Sequence, residues 1–339
     1  MGLFQSSLAW MRLERHTRWW RPADLPQRPS RETGPHDTAR PAFRFAPSPN
    51  GPLHLGHALS ALLNADMAKD VGGRFLLRIE DIDLARTRED HVTGIFDDLA
   101  WLGLEWDVPV LRQSEHFATY QAATHHLMKL GLLYPCFATR SEIAEATKHR
   151  PDARDPDGAP LYPGLHKGLP KEEIAARIAR NDPFALRLDM NSALDALERE
   201  TNTRCVTFTE LGEDGTPARI EADPATWGDA IIVRKDVPTS YHLACVVDDG
   251  RQGITHVVRG RDLYPATGLQ RLLQVILGLP EPIYHHHRLL LGPDGRKLAK
   301  SAGAESLREL REKGVSPAEI RERAGLAHSV LAGQGTNLS

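Results

Sequence analysis

Cysteine is scarce in this sequence. Three occur in 339 residues, Cys136, Cys205 and Cys245, odd in number and far apart. That excludes a disulfide framework and favours a reducing, cytoplasmic setting. No apolar run approaches the roughly 20 residues needed to span a membrane, and the N-terminus lacks the continuous apolar core of a signal peptide. An excess of one charge is also missing: 42 Lys and Arg against 45 Asp and Glu leave a formal net charge of −3. Nothing global therefore announces a nucleic-acid partner, and any RNA site has to be a local basic patch. No internal repeat is visible. What is present is a 41% hydrophobic fraction, enough for one large domain with an insertion, or for two domains.

The stretch before residue 42 differs from the rest. It holds Trp10, Trp19, Trp20 and seven arginines, and is rich in Pro from Pro22 to Pro41. Met1–Ser6 formally fits a myristoylation pattern, but a match so short is usually chance. From Ala42 the pattern becomes regular. Ala42–Ala46 alternates like a strand, and Pro47-Ser48-Pro49-Asn50-Gly51-Pro52 has to be a loop. Leu55, Leu59, Leu62, Leu63 and Met67 then recur at helical spacing until Gly72-Gly73, and Arg74–Ile79 reads as the next strand. This strand–loop–helix–strand unit predicts the start of a doubly wound α/β domain. Helices are expected at about 89–104, 114–131, 241–248, 265–278, 304–313 and 317–324. Short strands are expected at Ala230–Val233 and Ile254–Val258. The region 136–228 is less regular, and its stretch 148–170, rich in Pro, Asp and Gly, reads as a loop-bearing insertion.

Two short signatures carry the chemistry. His54-Leu55-Gly56-His57 puts two imidazoles on one face of a helix start. That end also offers unpaired backbone N–H groups and the positive end of the helix dipole, and Gly56 lets a ligand approach the backbone. Such a site suits a phosphate whose charge is growing. Near the other end, Lys297-Leu298-Ala299-Lys300-Ser301 follows the Gly-rich run Gly292–Arg296. Two lysines at that spacing can neutralise a leaving pyrophosphate. Read alone, the first signature is a helix that merely contains histidines and the second a solvated basic turn; their pairing in one chain lifts both.

The chain resembles the class I aminoacyl-tRNA synthetases, and within them the glutamyl branch. Arg44-Phe45-Ala46-Pro47-Ser48-Pro49 matches that branch's opening motif. His54–His57 stands where the family has HIGH, and Lys297–Ser301 where it has KMSKS. Leu77-Arg78-Ile79-Glu80-Asp81-Ile82-Asp83 with Arg86, and Arg259-Gly260-Arg261-Asp262-Leu263, match two further blocks. The likeness covers about 42–303 and is weakest over 136–228. It implies a Rossmann-type doubly wound parallel sheet with an inserted α+β subdomain. Residues 1–41 then read as a disordered or dispensable extension, 42–135 as the first half of the catalytic domain and 136–228 as the inserted subdomain. Residues 229–303 form the second half with its lysine loop, and 304–339 short helices and a tail.

The resemblance implies a glutamate site lined by Arg44, Phe45, Ala46, Pro47, Ser48, Glu80, Tyr241 and Arg259. The chemistry agrees: two arginines can grip carboxylates with planar forks, Glu80 can take the ammonium, and Tyr241 can add a directional hydrogen bond. Which arginine takes which carboxylate stays open. Asp81 and Asp83, with Arg78 and Arg86 beside them, read as salt-bridged. His54, Gly56, His57 and Lys300 would bind ATP, with His54, His57, Lys297 and Lys300 as the catalytic set. Magnesium would arrive with ATP; no dedicated cage for it is visible.

Some short members of the branch carry structural zinc on a Cys-x-Cys and Tyr-x-x-x-Cys pattern. Here Cys136 keeps one cysteine, Tyr162 keeps the tyrosine and His166 stands at the last cysteine. That set is poor for zinc, which is expected to be absent. His285-His286-His287 cannot all ligate one metal if the stretch is a strand; they read as structural or as part of the nucleotide wall. Cys205 and Cys245 read as buried thiols. Lys167, Lys171, Arg177 and Arg180 read as a solvated basic face before an RNA contact.

After Ser301 the chain runs only to Ser339, too short for the helical anticodon-binding domain of full glutamyl-tRNA synthetases. The resemblance is therefore to short members that attach glutamate to the queuosine base in the anticodon of tRNA(Asp). They imply ATP, L-glutamate and queuosine-bearing tRNA(Asp) as partners of a monomeric ligase. The alternatives are a truncated synthetase charging a tRNA 3′ end and a non-catalytic RNA-binding paralogue.

Overall fold

The computed structural model describes residues 40–292 and 305–326. The extension up to residue 39 and the Lys297–Ser301 signature lie outside the described residues. In chain order, the first half has β1 (Ala42–Phe45), α1 (Leu55–Asp70), β2 (Arg74–Ile79), α2 (Glu89–Trp101), β3 (Asp107–Arg112) and α3 (Phe117–Lys129). Then follow β4 (Leu133–Cys136), α4 (Arg140–Thr147), α5 (Lys171–Ala179), β5 (Ala185–Leu188), α6 (Met190–Thr201), β6 (Val206–Leu211), β7 (Pro217–Ala222) and β8 (Ile231–Val233). The chain continues through α7 (Tyr241–Gln252), β9 (His256–Gly260), α8 (Ala266–Ile276) and β10 (Ile283–His287) to α9 (Leu307–Glu312) and α10 (Pro317–Arg323).

Seven strands form one sheet in the order β3-β2-β1-β9-β10-β6-β7. Every neighbouring pair is parallel except β6–β7, an antiparallel hairpin at the edge. The sheet is doubly wound, and its order reverses between β1 and β9. All four residues of β1 are buried, although their sequence alternates. A central strand of a parallel sheet is covered on both faces, so Phe43, Arg44 and Phe45 all leave water. Helix α1 packs Leu59, Leu62 and Leu63 into the same core. It ends at Asp70, where Gly72 takes φ +61, a conformation that a Cβ makes costly.

A second, three-stranded antiparallel sheet runs β4-β5-β8. Strand pairing cuts across the limits drawn at 136 and 228 from sequence. β6 and β7, inside that interval, belong to the main sheet. β8, outside it, pairs with β5. Strand periodicity identifies a face but not a partner, so a local reading had no means of assigning these pairings. Smaller differences have local causes. α2 stops at Trp101 because Gly103 turns the chain at φ +76. The strand expected at 254–258 runs two residues later, with Thr255 instead bonding Ala42.

Helices α9 and α10 are held by capping boxes, Ser306 with Glu309 and Ser316 with Glu319. Their Leu307, Leu310 and Ile320 join the core built on α1, β1 and β2. Arg321 bonds Asp66 of α1, 255 residues away. No helix of the described residues is long and apolar enough to cross a membrane.

Candidate active site

The reversal of strand order opens a crevice beyond the C-terminal ends of β1 and β9, where ligands of open α/β sheets bind. A cavity of about 540 Å³ occupies it. Arg44 to Ser48 enter from β1 and the loop after it, Glu80 from the end of β2, and Tyr241 from the start of α7. Arg259 comes from β9, and His54, Gly56 and His57 from the start of α1. Every site residue proposed from sequence that falls in the described chain thus lines this one cavity. Lys297 and Lys300 lie outside the described residues.

The two histidines cap their own helix. His54 is the N-cap, with Nδ1 accepting from the Gly56 N–H at 3.1 Å. His57 Nδ1 accepts from the His54 N–H at 3.1 Å, and the rings lie 3.8 Å apart. With both Nδ1 atoms engaged as acceptors, the neutral rings carry their protons on Nε2, as donors. Gly56 has a second use here. A Cβ on it would sit 3.0 Å from His54 Cε1, so a side chain would push that ring away.

The two arginines are set differently. Arg44 is buried and paired with Asp249 of α7: Nε to Oδ1 is 3.0 Å and Nη2 to Oδ2 is 3.4 Å. Asp249 also takes Arg78 Nη1 at 2.7 Å, and Arg78 Nη2 reaches Glu80 at 3.2 Å. Burial works against the charge on Asp249, but Arg44 and Arg78 overcome it and hold the carboxyl at about 2. Burial pushes Glu80 above the ordinary carboxylate range while Arg78 and Arg44 pull the other way. Counted by formal charge, the two arginines and two acids of this cluster balance.

Arg259 meets only neutral acceptors: Nε to His286 Nε2 at 3.1 Å, Nη1 to Gln270 at 2.7 Å and Nη2 to Thr267 at 2.9 Å. Burial lowers His286 to about 4, so it is uncharged near neutrality. Among the described residues no carboxylate pairs with Arg259. A buried cation so placed can receive an incoming anion.

Sequence reasoning missed Asp249, Thr267 and Gln270, and treated Cys245 as a bystander. Yet Tyr241, Cys245 and Asp249 stand at i, i+4 and i+8 of α7, one face of a helix, and Cys245 Sγ lies 4.0 Å from Arg44. Burial raises that thiol to about 12, which keeps it protonated. Asp81 and Asp83 are salt-bridged as expected, Asp83 in part with its sequence neighbour Arg86 and Asp81 with a distant arginine. Asp81 takes Arg112 and the Ser114 N–H, and Asp83 takes Arg234 at 3.1 Å with Arg86 at 3.8 Å. Of the histidine run, His285 bonds the Leu211 carbonyl, His286 faces Arg259 and His287 lines the cavity.

The candidate zinc positions hold one another instead. The Tyr162 hydroxyl accepts from the His166 N–H at 2.8 Å, and His166 Nδ1 accepts from the Phe137 N–H at 3.2 Å. The Arg187 guanidinium lies 3.9 Å from the Tyr162 ring centre. With one imidazole nitrogen committed and a cation stacked on the phenol, these donors do not suit zinc. Of the basic residues of the insertion, Lys167 pairs with Asp189 and Asp229, Arg177 with Glu173 and Arg180 with Asp182.

A doubly wound sheet whose switch point carries paired histidines at a helix start, two arginines and an acid defines a class I synthetase catalytic domain. Residues 42–327 match the family described as tRNA synthetases class I (E and Q), catalytic domain, and the chain belongs to that family. It is 44% identical over 293 residues to the glutamyl-Q tRNA(Asp) synthetase of Rhodobacter capsulatus, covering 84% of this chain and 99% of the relative. It is 42% identical over 286 residues to that of Symbiobacterium thermophilum, covering 82% and 83%. Among solved structures, a glutamate tRNA ligase from Elizabethkingia meningosepticum, in complex with its amino acid, superposes with TM-score 0.64 at 30% identity. That match covers 78% of this chain and 52% of the ligase, so the chain spans about half of that protein.

Proposed function

We propose that this protein activates L-glutamate with ATP and transfers it to the queuosine base in the anticodon of tRNA(Asp). The observation that carries the reading is the single cavity shared by Arg44, Glu80, Tyr241, Arg259 and the histidine pair. Glutamate presents two carboxylates and one ammonium. Arg259, charged and without an acidic partner among the described residues, takes one carboxylate, and Arg44 lines the same space for the other. Glu80 takes the ammonium. Tyr241 walls the pocket, its hydroxyl kept protonated by burial.

Held this way, a carboxylate oxygen attacks the α-phosphorus of ATP in line, an acyl–phosphate bond forms and pyrophosphate leaves. No protein nucleophile is required, so catalysis is positioning and charge neutralisation. The Nε2–H groups of His54 and His57 and the start of α1 meet the phosphates, and Lys300 stabilises the developing charge. Magnesium, when bound with ATP, supplies further neutralisation of the phosphates. The protein acts as a monomer in the cytoplasm and needs no zinc; one zinc per purified chain in metal analysis would contradict that part.

Charging with labelled glutamate is the test. Label on queuosine-bearing tRNA(Asp), lost when queuosine is missing, is the expected result. Label on the 3′ end of tRNA(Glu) instead would replace this reading with the 3′-charging one.

A further inference from the structure

We infer that Glu210 and His286 are positioning residues for Arg259, fixing the direction in which its guanidinium meets the substrate carboxylate. The inference rests on the reading of the cavity as a glutamate site.

The arrangement begins in the hairpin at the sheet edge. Glu210 lies on β6, in register with Tyr284 of β10. Its carboxylate accepts the His286 backbone N–H at 2.8 Å and the His286 Nδ1–H at 2.8 Å. Two donors from one residue fix both the acid and the ring. With the proton held on Nδ1, Nε2 presents a lone pair. That lone pair receives Arg259 Nε–H at 3.1 Å, and Thr267 Oγ1 lies 3.2 Å away. The His286 side chain is 1% exposed, so water does not compete for the contact.

A guanidinium has five N–H groups in one plane. Here three are taken from three directions, by His286, Gln270 and Thr267. Two remain for a ligand, one on each Nη. The three acceptors thus set the plane of the guanidinium.

The use of an imidazole explains itself against Arg44. Asp249 touches Arg44 directly and neutralises it. Glu210 touches Arg259 only through a neutral ring. The acid therefore orients the guanidinium without cancelling its charge, which stays available to the ligand. The Tyr284 ring backs the same unit: it stacks on His286 with an interplanar angle of 2°, and the Arg259 guanidinium lies 5.4 Å from its centre.

The test is glutamate-dependent pyrophosphate exchange by the full chain. Glu210→Ala should raise KM for glutamate roughly tenfold, the size of one aligned hydrogen bond, with kcat and KM for ATP within about twofold. Glu210→Gln, which keeps an oxygen for the Nδ1–H but sets its NH2 against the His286 backbone N–H, should restore only part of the affinity. His286→Phe keeps a ring, removes both nitrogens and should give at least the same rise, so it serves if Glu210→Ala fails to fold. An unchanged glutamate KM in either folded variant overturns the inference. So does an equal rise in both KM values, the mark of general loosening. No exchange by the unaltered chain overturns the glutamate reading itself, and this inference with it.

Discussion

Replacing Asp249 with Asn tests whether the neutral cluster beneath the cavity holds the site together. The change keeps the shape of the side chain and removes its charge. Two buried guanidiniums then lose their common acid: Arg44 at 3.0 Å and Arg78 at 2.7 Å. The carboxyl is held at about 2 against an ordinary 3.8. At about 1.4 kcal/mol per pH unit, that depression alone corresponds to about 2.5 kcal/mol. Leaving buried cations short of a partner typically costs about 3–5 kcal/mol, so the working figure is about 3–4 kcal/mol. For a domain of this size each kcal/mol moves the melting temperature by about 2–4 °C, which predicts a fall of roughly 10 °C. The sign with pH is defined. A depressed acid contributes fully above its unfolded value, and the contribution is lost as pH falls through the folded value. The gap between the two proteins should therefore be complete at pH 7 and close from about pH 4 toward about 2. Urea unfolding at several pH values measures it. A gap under about 1 kcal/mol at pH 7, or one that stays constant into acid, would show that Arg44 and Arg78 find other support.

Two further outcomes follow from the same site. Lys300→Ala should lower glutamate-dependent exchange by roughly a hundredfold or more, and unchanged exchange would remove that lysine from the mechanism. His242 and His286 are both pushed by burial to about 4, against about 6.5 when unfolded. Because the unfolded chain takes these protons first, stability should fall as pH drops from about 6.5 to 4, by at most about 3 kcal/mol for each ring; stability that is level between pH 7 and 4.5 would refute this.

The first unit of the fold was legible because its signals are local. The Pro-rich loop, the helical spacing from Leu55 to Met67 and the Gly72 stop all act within a few residues, and the helix stands where they put it. The placement of Arg44, Glu80, Tyr241 and Arg259 around one cavity came from motifs rather than from periodicity. What stayed hidden depends on partners far along the chain. Nothing near Val206–Ala222 says that this hairpin extends the main sheet, since its neighbour β10 begins at Ile283. Asp249, one residue past the helix expected at 241–248, carried no signal of its own until the fold placed two arginines against it. Asp81 was expected to pair with the arginines near it in sequence, but it lies beyond the end of β2, and Arg112 meets it instead.

The burial of Leu307 and Ile320 against the helix of the paired histidines has a consequence for synthesis. That helix emerges from the ribosome early, yet part of its covering is made much later. Asp66 waits 255 residues for Arg321, roughly 13–50 s at about 5–20 residues per second. During that interval the outer side of α1 has no native cover, and the nascent chain carries an apolar helix face that chaperones can occupy. The histidine-bearing helix therefore reaches its final packing only after Arg321 has been made, whatever the order in which the strands assemble.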